Sequence, residues 1–310
     1  MKFYLIVSDT KSVLTQEQQK QLEQLGPVVI ISHKGKLAAL EQLTKDPDEK
    51  VLALDPTVFD WELDVEALDH IPNVKAVITQ STSFDWIHPK DLKTRGIVAC
   101  NCPGFSADSV GEYAICMAIE VSRRLPIYIK NSWQIDWSVQ SMLLKGKTLG
   151  IIGMGRIGKA MAAAGKGIGM NVVYWSQKTR VDTYRFVELQ ELFKQADVLM
   201  PALVENDQTK QILTKELIDT LKPSAVVVGI NRVKDLLPEE YILTKVAQNK
   251  LGGYAFEGEN TKPLSSYQGN VWALPACAWI TQESLTNLIQ VWVDDMIAFA
   301  KQKPQNIVTK

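Results

Sequence analysis

Residues 147–162, "KTLGIIGMGRIGKAMA", constrain the fold more than any other stretch of this chain. A short apolar run ends directly in Gly153-Met154-Gly155-Arg156-Ile157-Gly158, and a segment with helical periodicity begins there. G-x-G-x-x-G at a strand-to-helix junction reads as a dinucleotide-binding turn. Gly153 permits the tight turn, Gly155 lets a pyrophosphate approach the backbone, and Gly158 lets helix and strand pack closely. The free N–H groups at the start of the helix, from Arg156 and Ile157 onward, are then open to phosphate oxygens. The competing reading is a glycine-rich turn that packs and binds nothing.

The next apolar run, "NVVYWSQKTR", ends in Ser176, Gln177, Lys178 and Arg180, with no carboxylate among them to hold the ribose diol of NAD. A hydroxyl and two cations suit a 2′-phosphate, so NADP is favoured over NAD. Lys178 and Arg180 also read as solvated loop charges.

Around this motif the chain alternates short β-branched runs with polar, helix-period segments. "FYLIVS", "VVIIS", "VLALD", "VKAVITQ" and "IVACN" alternate with segments such as "TQEQQKQLEQLG" and "KLAALEQL" over residues 1–100. A second alternation runs from "KTLGIIG" through "NVVYWS", "ADVLMPA", "AVVVGI" and "GGYAF". That pattern predicts two α/β units built on parallel sheets. Between them, "SADSVGEYAICMAIEVSRRLP" predicts one long helix, with Ser109 as N-cap and Glu112 completing a capping box. The aromatic-rich "IYIKNSWQIDWSVQSMLLKG" is expected to be an arm or a subunit interface, with a homodimer preferred. "TQESLTNLIQVWVDDMIAFAKQ" predicts a long amphipathic helix able to return to the first unit.

At 310 residues, 46% hydrophobic, the chain is long enough for two cores. Its 34 Lys and Arg balance 35 Asp and Glu, so no overall field favours nucleic acid or an anionic membrane surface, and a small-molecule partner is expected. "MKFYLIVSDT" is too short for a signal peptide's apolar region and no later stretch approaches a membrane span, so a cytoplasmic location is expected. Cys100, Cys102, Cys116 and Cys277, with His33, His70 and His88, show no metal-ligand spacing, which leaves free thiols and no expected metal.

Taken with their flanks, these motifs resemble the D-isomer-specific 2-hydroxyacid dehydrogenases, particularly the glyoxylate and hydroxypyruvate reductase branch. "NCPGFSADSVGEYAI", "LKGKTLGIIGMGRIGKAMA", "LKPSAVVVGINR" and the C-terminal "AWITQESLTNLIQVWVDDMIAFAKQKPQNIV" carry the resemblance along almost the whole chain. It implies a Rossmann nucleotide-binding domain, residues 102–281, inserted in a smaller flavodoxin-like substrate domain, residues 1–101 and 282–310. It also implies an active site in the intervening cleft. By the same resemblance, Ile230 and Asn231 line the cofactor and Arg232 binds a 2-oxo acid. Glu259 supports a catalytic histidine, and the backbone amides of Thr82 and Ser83 in "TQSTSFDWI" take the substrate carboxylate. Ser81 and Ser83 replace the glycines usual in that loop, which is expected to narrow the pocket.

The histidine itself is missing. It is expected after a proline and three residues before the tryptophan of "AWITQES", where this chain has Ala276, and no histidine lies in the second half of the sequence. Loss of a positioned general acid removes ~10²–10⁴-fold in rate, roughly 3–5 kcal/mol of barrier. Tyr254 stands where the family has an aspartate, Asn231 and Val233 replace alanine and glycine, and Leu274 replaces a threonine. The sequence therefore supports an NAD(P)H-dependent reductase of a small 2-oxo acid or related carbonyl or imine, its proton supplied by Tyr254, Cys277 or water. Tyr254 reads equally as space-filling and Cys277 as packing. The alternative is a catalytically impaired nucleotide-binding regulatory or scaffold protein.

Overall fold

Strands that are apolar on both faces require a sheet covered on both sides, and both halves of the chain meet that requirement. The computed structural model describes residues 1–310 apart from 11–12, 205–207, 211, 231–235, 259–260 and 310. It divides into two compact units, residues 1–105 with 282–310 and residues 106–281.

In the first unit, β1 (Lys2–Val7), β2 (Val28–Ser32), β3 (Lys50–Leu54), β4 (Val74–Thr79) and β5 (Val98–Cys100) form one parallel sheet in the order β2-β1-β3-β4-β5. That is the flavodoxin-like order. Helix α1 (Gln16–Glu23) starts at a capping box in which Thr15 accepts from the Gln18 amide and the Gln18 side chain accepts from Thr15. "KLAALEQL", expected to be one helix, is instead a 3₁₀ turn at Leu37–Ala39 followed by the single turn α2 (Glu41–Thr44). Leu37 and Leu43 are both buried. Six residues apart, they would lie about 240° around one helix, and the break at Leu40 lets both reach the core. The short α3 (Pro89–Thr94) precedes β5.

The second unit opens with α4 (Ala107–Ser122) and α5 (Leu125–Lys130) and continues with β6 (Thr148–Ile152), α6 (Arg156–Gly167), β7 (Asn171–Trp175) and β8 (Arg185–Phe186). It is completed by α7 (Leu189–Gln195), β9 (Val198–Pro201), α8 (Lys215–Asp219), β10 (Val226–Gly229), α9 (Glu239–Ala247), β11 (Gly253–Gly258) and β12 (Val271–Pro275). All its strands pair in parallel, in the order β12-β11-β10-β9-β6-β7-β8. Counted from β6 this is the Rossmann order, 3-2-1-4-5-6, with one strand added at the β11 edge. One face packs on α4 and α6 through Val110, Ala114, Met117, Met161 and Ile151. The other buries Leu192, Phe193, Ile218, Ile242 and Tyr254.

The start of α4 differs from expectation. Its N-cap position is Ser106, and Ser109 lies inside the helix with its hydroxyl donating to the Ala278 carbonyl at 2.6 Å. A tertiary acceptor has taken the hydroxyl that the capping box would use. The helix also ends before "RRLP": Arg124 is left-handed (φ 58°), and Pro126 belongs to the first turn of α5. Among the described residues no helix is long and apolar enough to cross a membrane.

Helix α10 (Gln282–Ala300) packs on β3, β4 and α1 of the first unit. Trp292 is fully buried there and its indole N–H donates to the Ile78 carbonyl at 2.9 Å. Beyond α10 the chain lies along the edge of β5. The Val308 amide donates to Ala99 at 2.8 Å, the Asn101 amide to Asn306 at 3.2 Å, and Cys100 forms an antiparallel bridge with Ile307. An exposed strand edge is thereby covered. Asp295 of α10 is fully buried and holds this tail by accepting from Asn306 Nδ2 at 2.9 Å. Burial pushes its carboxyl up to about 7, opposed by the hydrogen bonds from Asn306 and Gln305. Because the folded value exceeds the unfolded one, the contribution of Asp295 to stability is full below about pH 4 and is lost as pH rises through 7. Asp295→Asn is expected to stabilise the protein at pH 8 by up to about 4 kcal/mol, with the gain vanishing toward pH 4, as read by urea denaturation at both pH values.

Candidate cofactor and catalytic site

The glycine loop sits where the sheet order reverses, between β6 and β9. The Gly153 amide donates to Trp175 at the end of β7 (2.8 Å), and the Ala202 amide donates to Ile152 (2.7 Å). Gly153 is left-handed at φ +99°, and a Cβ there would stand 2.6 Å from the Ala202 carbonyl oxygen. A Cβ on Gly158 would collide with the Gly153 carbonyl, whereas one on Gly155 would meet nothing within 4 Å. The three glycines thus divide their work: a turn, an open approach and a close helix contact. No side chain caps α6, so its first amides face that open approach. These residues fit a dinucleotide pyrophosphate, which helix dipole and free N–H groups favour.

The loop after β7 is braced by Tyr174, whose hydroxyl donates to the Val181 carbonyl at 3.1 Å and accepts from the Val181 amide at 2.7 Å. Ser176 is buried and its Oγ accepts from the Thr179 amide at 3.3 Å. Arg180 lies 3.8 Å above the Phe186 ring and donates to the Ser176 carbonyl, while Lys178 is exposed. Strand β10 leads to Ile230, which is buried. Asn231, Arg232 and Glu259 lie outside the described residues.

At the far edge, β12 runs in register with β11, Pro275 opposite Gly258, and delivers Ala276 to the surface. The turn that follows is held by Glu257, a buried carboxylate near the end of β11. Its Oε1 accepts from the Cys277 amide at 2.8 Å and the Ala278 amide at 2.7 Å. Cys277 Sγ is 3.3 Å from the Tyr113 hydroxyl on α4.

Tyr254 is not at such an edge. It is fully buried in the layer under α9, stacks on Phe256 at 4.9 Å and donates to Glu239 at 3.3 Å. Burial raises its phenol well above the usual range. The proton-donor role expected of Tyr254 is therefore corrected: a hydroxyl sealed in this layer has no path to a substrate, and the ring fills space.

In the first unit, Thr82 and Ser83 are exposed in the loop after β4. Every carbonyl of residues 81–83 is engaged: Ser81 by the Cys102 amide (2.8 Å), Thr82 by Asn101 (2.7 Å), and Ser83 by the Ser81 hydroxyl (2.6 Å) and the Trp86 indole (3.2 Å). The amides of Thr82 and Ser83 meet no acceptor among the described residues. This leaves two donors presented outward, a geometry suited to an anion. Ser81 is buried, so it braces the loop instead of narrowing a pocket.

The family model of the D-isomer specific 2-hydroxyacid dehydrogenase NAD binding domain matches residues 115–280. The chain belongs to the D-isomer specific 2-hydroxyacid dehydrogenase family. It is similar to a hydroxypyruvate reductase of Blautia hydrogenotrophica, 25% identical over 309 residues with 94% of each chain covered. A glyoxylate/hydroxypyruvate reductase of Arabidopsis thaliana is 29% identical over 251 residues, 77% of each chain. Among solved structures, an acyclic imino acid reductase in complex with NADPH and D-Arg superposes with a TM-score of 0.79 at 23% identity, covering 99% of this chain and 100% of that one. Membership makes the chain an NAD(P)-dependent oxidoreductase of the class acting on CH–OH groups.

Sequence reasoning missed β12, Glu257 and Tyr113. The signal for Tyr113 was its spacing, four residues after Ser109, which puts two hydroxyls on one side of α4. Gly158→Ala is expected to destabilise the protein by ~1–3 kcal/mol through overpacking against the Gly153 carbonyl. Thermal denaturation and NADPH titration on the variant check this, with cofactor affinity falling alongside stability.

Proposed function

We propose that this protein reduces a small 2-oxo acid, or the corresponding imine, with NADPH favoured over NADH, by a route that uses no histidine at position 276. The observation that supports the reading is the end of β12, where a turn built on Glu257 leaves Ala276 exposed, at the residue that the resemblance aligns with the family's general acid. When bound, the reduced nicotinamide supplies a hydride. Arg232 binds and polarises the oxo acid through a bidentate guanidinium, and Glu259 is the carboxylate that the family pattern assigns to the same site. The exposed amides of Thr82 and Ser83 bind the substrate carboxylate. Gly153, Gly155, Arg156, Ile157 and Gly158 take the pyrophosphate, and Ile230 with Asn231 lines the cofactor. Ser176, Lys178 and Arg180 receive the 2′-phosphate.

The relatives named glyoxylate and hydroxypyruvate reductases support an oxo acid. The imino acid reductase of similar fold supports the imine, whose nitrogen protonates more readily than a ketone oxygen and needs a weaker acid. We also propose a homodimer formed through the segment after α5. Its Trp133, Ile135, Trp137 and Leu143 are 64–90% exposed, an apolar patch of the kind that marks an interface.

Fluorescence titration with NADPH and NADH, followed by assays of glyoxylate, hydroxypyruvate, bulkier 2-oxo acids and their imines, tests the reading. Binding of NADPH and measurable turnover are expected. Binding of neither cofactor would sink the proposal, and a gain of activity only in Ala276→His would favour a non-catalytic binder. Lys178→Glu is expected to weaken NADPH about tenfold and leave NADH within about threefold, since only NADPH carries the phosphate; equal losses would assign Lys178 to the solvated surface.

A further inference from the structure

Cys277 follows the position where the general acid is absent, and its backbone cannot drift. Glu257 holds its amide and the next, while the Ala278 carbonyl accepts from Ser109 of α4. The first two bonds tie the turn to β11, and the third ties it to the helix that carries Tyr113, one turn beyond Ser109. The Tyr113 hydroxyl therefore meets Cys277 Sγ at 3.3 Å. Tyr113 is half-buried, and desolvation, then the bond to Cys277, raise its phenol above the ordinary value, keeping the O–H intact at neutral pH. A thiol is a weak acceptor and a weak donor, so it orients the hydroxyl without committing the proton. Tyr254 is sealed beneath α9, and the three histidines all lie in the first hundred residues.

We propose that Tyr113 is the proton donor that replaces the missing imidazole, its hydroxyl aimed by Cys277 on the turn clamped by Glu257. This rests on the reductase reading above. In the step, the substrate carbon gains the hydride and the C=O or C=N π bond opens onto the heteroatom. That atom takes the Tyr113 proton, and solvent returns a proton to the phenolate. One hydride and one proton are consumed for each carbonyl or imine reduced. The high affinity of the phenolate for a proton, reinforced by the buried Glu257 carboxylate, favours its return.

Two measurements decide the matter. Alkylation of Cys277 by iodoacetamide, read by mass spectrometry, is expected to slow about tenfold when NADP⁺ and oxamate are both bound, because the reacting centre then covers the pair; an unchanged rate places the pair away from the ligands and overturns the proposal. Tyr113→Phe, which removes only the hydroxyl, is expected to lower kcat ~10²–10³-fold with the NADPH Kd within about threefold of the parent. Adding Ala276→His to Tyr113→Phe is expected to restore at least about tenfold, with activity now falling above pH ~6.5 as the new imidazole deprotonates. A kcat loss below about threefold, or a loss matched by equal loss of NADPH affinity, overturns the donor and leaves the reductase standing. A parent that binds NADPH yet turns over no oxo acid or imine overturns both.

Discussion

The close approach of α6 to the glycine loop sets the geometry of the second unit. With no Cβ on Gly158, the helix settles against the Gly153 carbonyl and its first amides open toward the strand ends. A second glycine contact extends the arrangement. A Cβ on Gly111 of α4 would stand 2.6 Å from Ala160 Cβ of α6, so the two helices touch nearly backbone to backbone. That contact leaves α4 little freedom of rotation. Ser109 and Tyr113 are therefore turned toward the segment after β12, while Val110, Ala114, Met117 and Val121 pack in the core shared with α6 and the sheet.

The same edge shows how the turn after β12 keeps its shape with alanine at position 276. A histidine at position 276 would project from a turn that the backbone already defines. Here Glu257, Ser109 and Cys277 define that turn through amides and a carbonyl, so its shape does not depend on the side chain at 276. The scaffold tolerates alanine because the interactions holding it lie one and two residues further on. On the proposed reading the proton comes from a protic group that the scaffold presents nearby, and the sealed placement of Tyr254 removes the candidate that sequence position alone suggested.

In the first unit, the contacts that fix the loop after β4 and those that close the sheet edge involve different residues. The loop of Thr82 and Ser83 is fixed through its carbonyls and through the Thr82 hydroxyl, which donates to the Cys102 carbonyl, while its two amides meet no acceptor among the described residues. The sheet edge at β5 is closed by the C-terminal tail, and the buried Asp295 couples that closure to pH. A neutral carboxyl is comfortable in that setting. An ionised one is not, because desolvation outweighs the hydrogen bonds it receives.

Much of the architecture was legible in the sequence because it depends on local rules. β-branched runs marked the principal strands, and the spacing of Gly153, Gly155 and Gly158 after such a run announced a nucleotide turn. The absence of histidine from the second half exposed Ala276 as the anomaly. Other features required contacts between residues far apart in the chain. "KLAALEQL" broke into two turns because two leucines out of helical phase both had to reach the core, and Ser109 left its expected cap for a carbonyl at residue 278. Tyr254 went inward because its side of β11 is roofed by α9. Sequence by itself determined that this is a nucleotide-binding α/β chain with no histidine after residue 88, since periodicity, glycine spacing and residue identity are local quantities. Only the tertiary structure decided which hydroxyl stands beside Cys277, because the rotation of α4 is set by glycine contacts with α6 that no local pattern encodes.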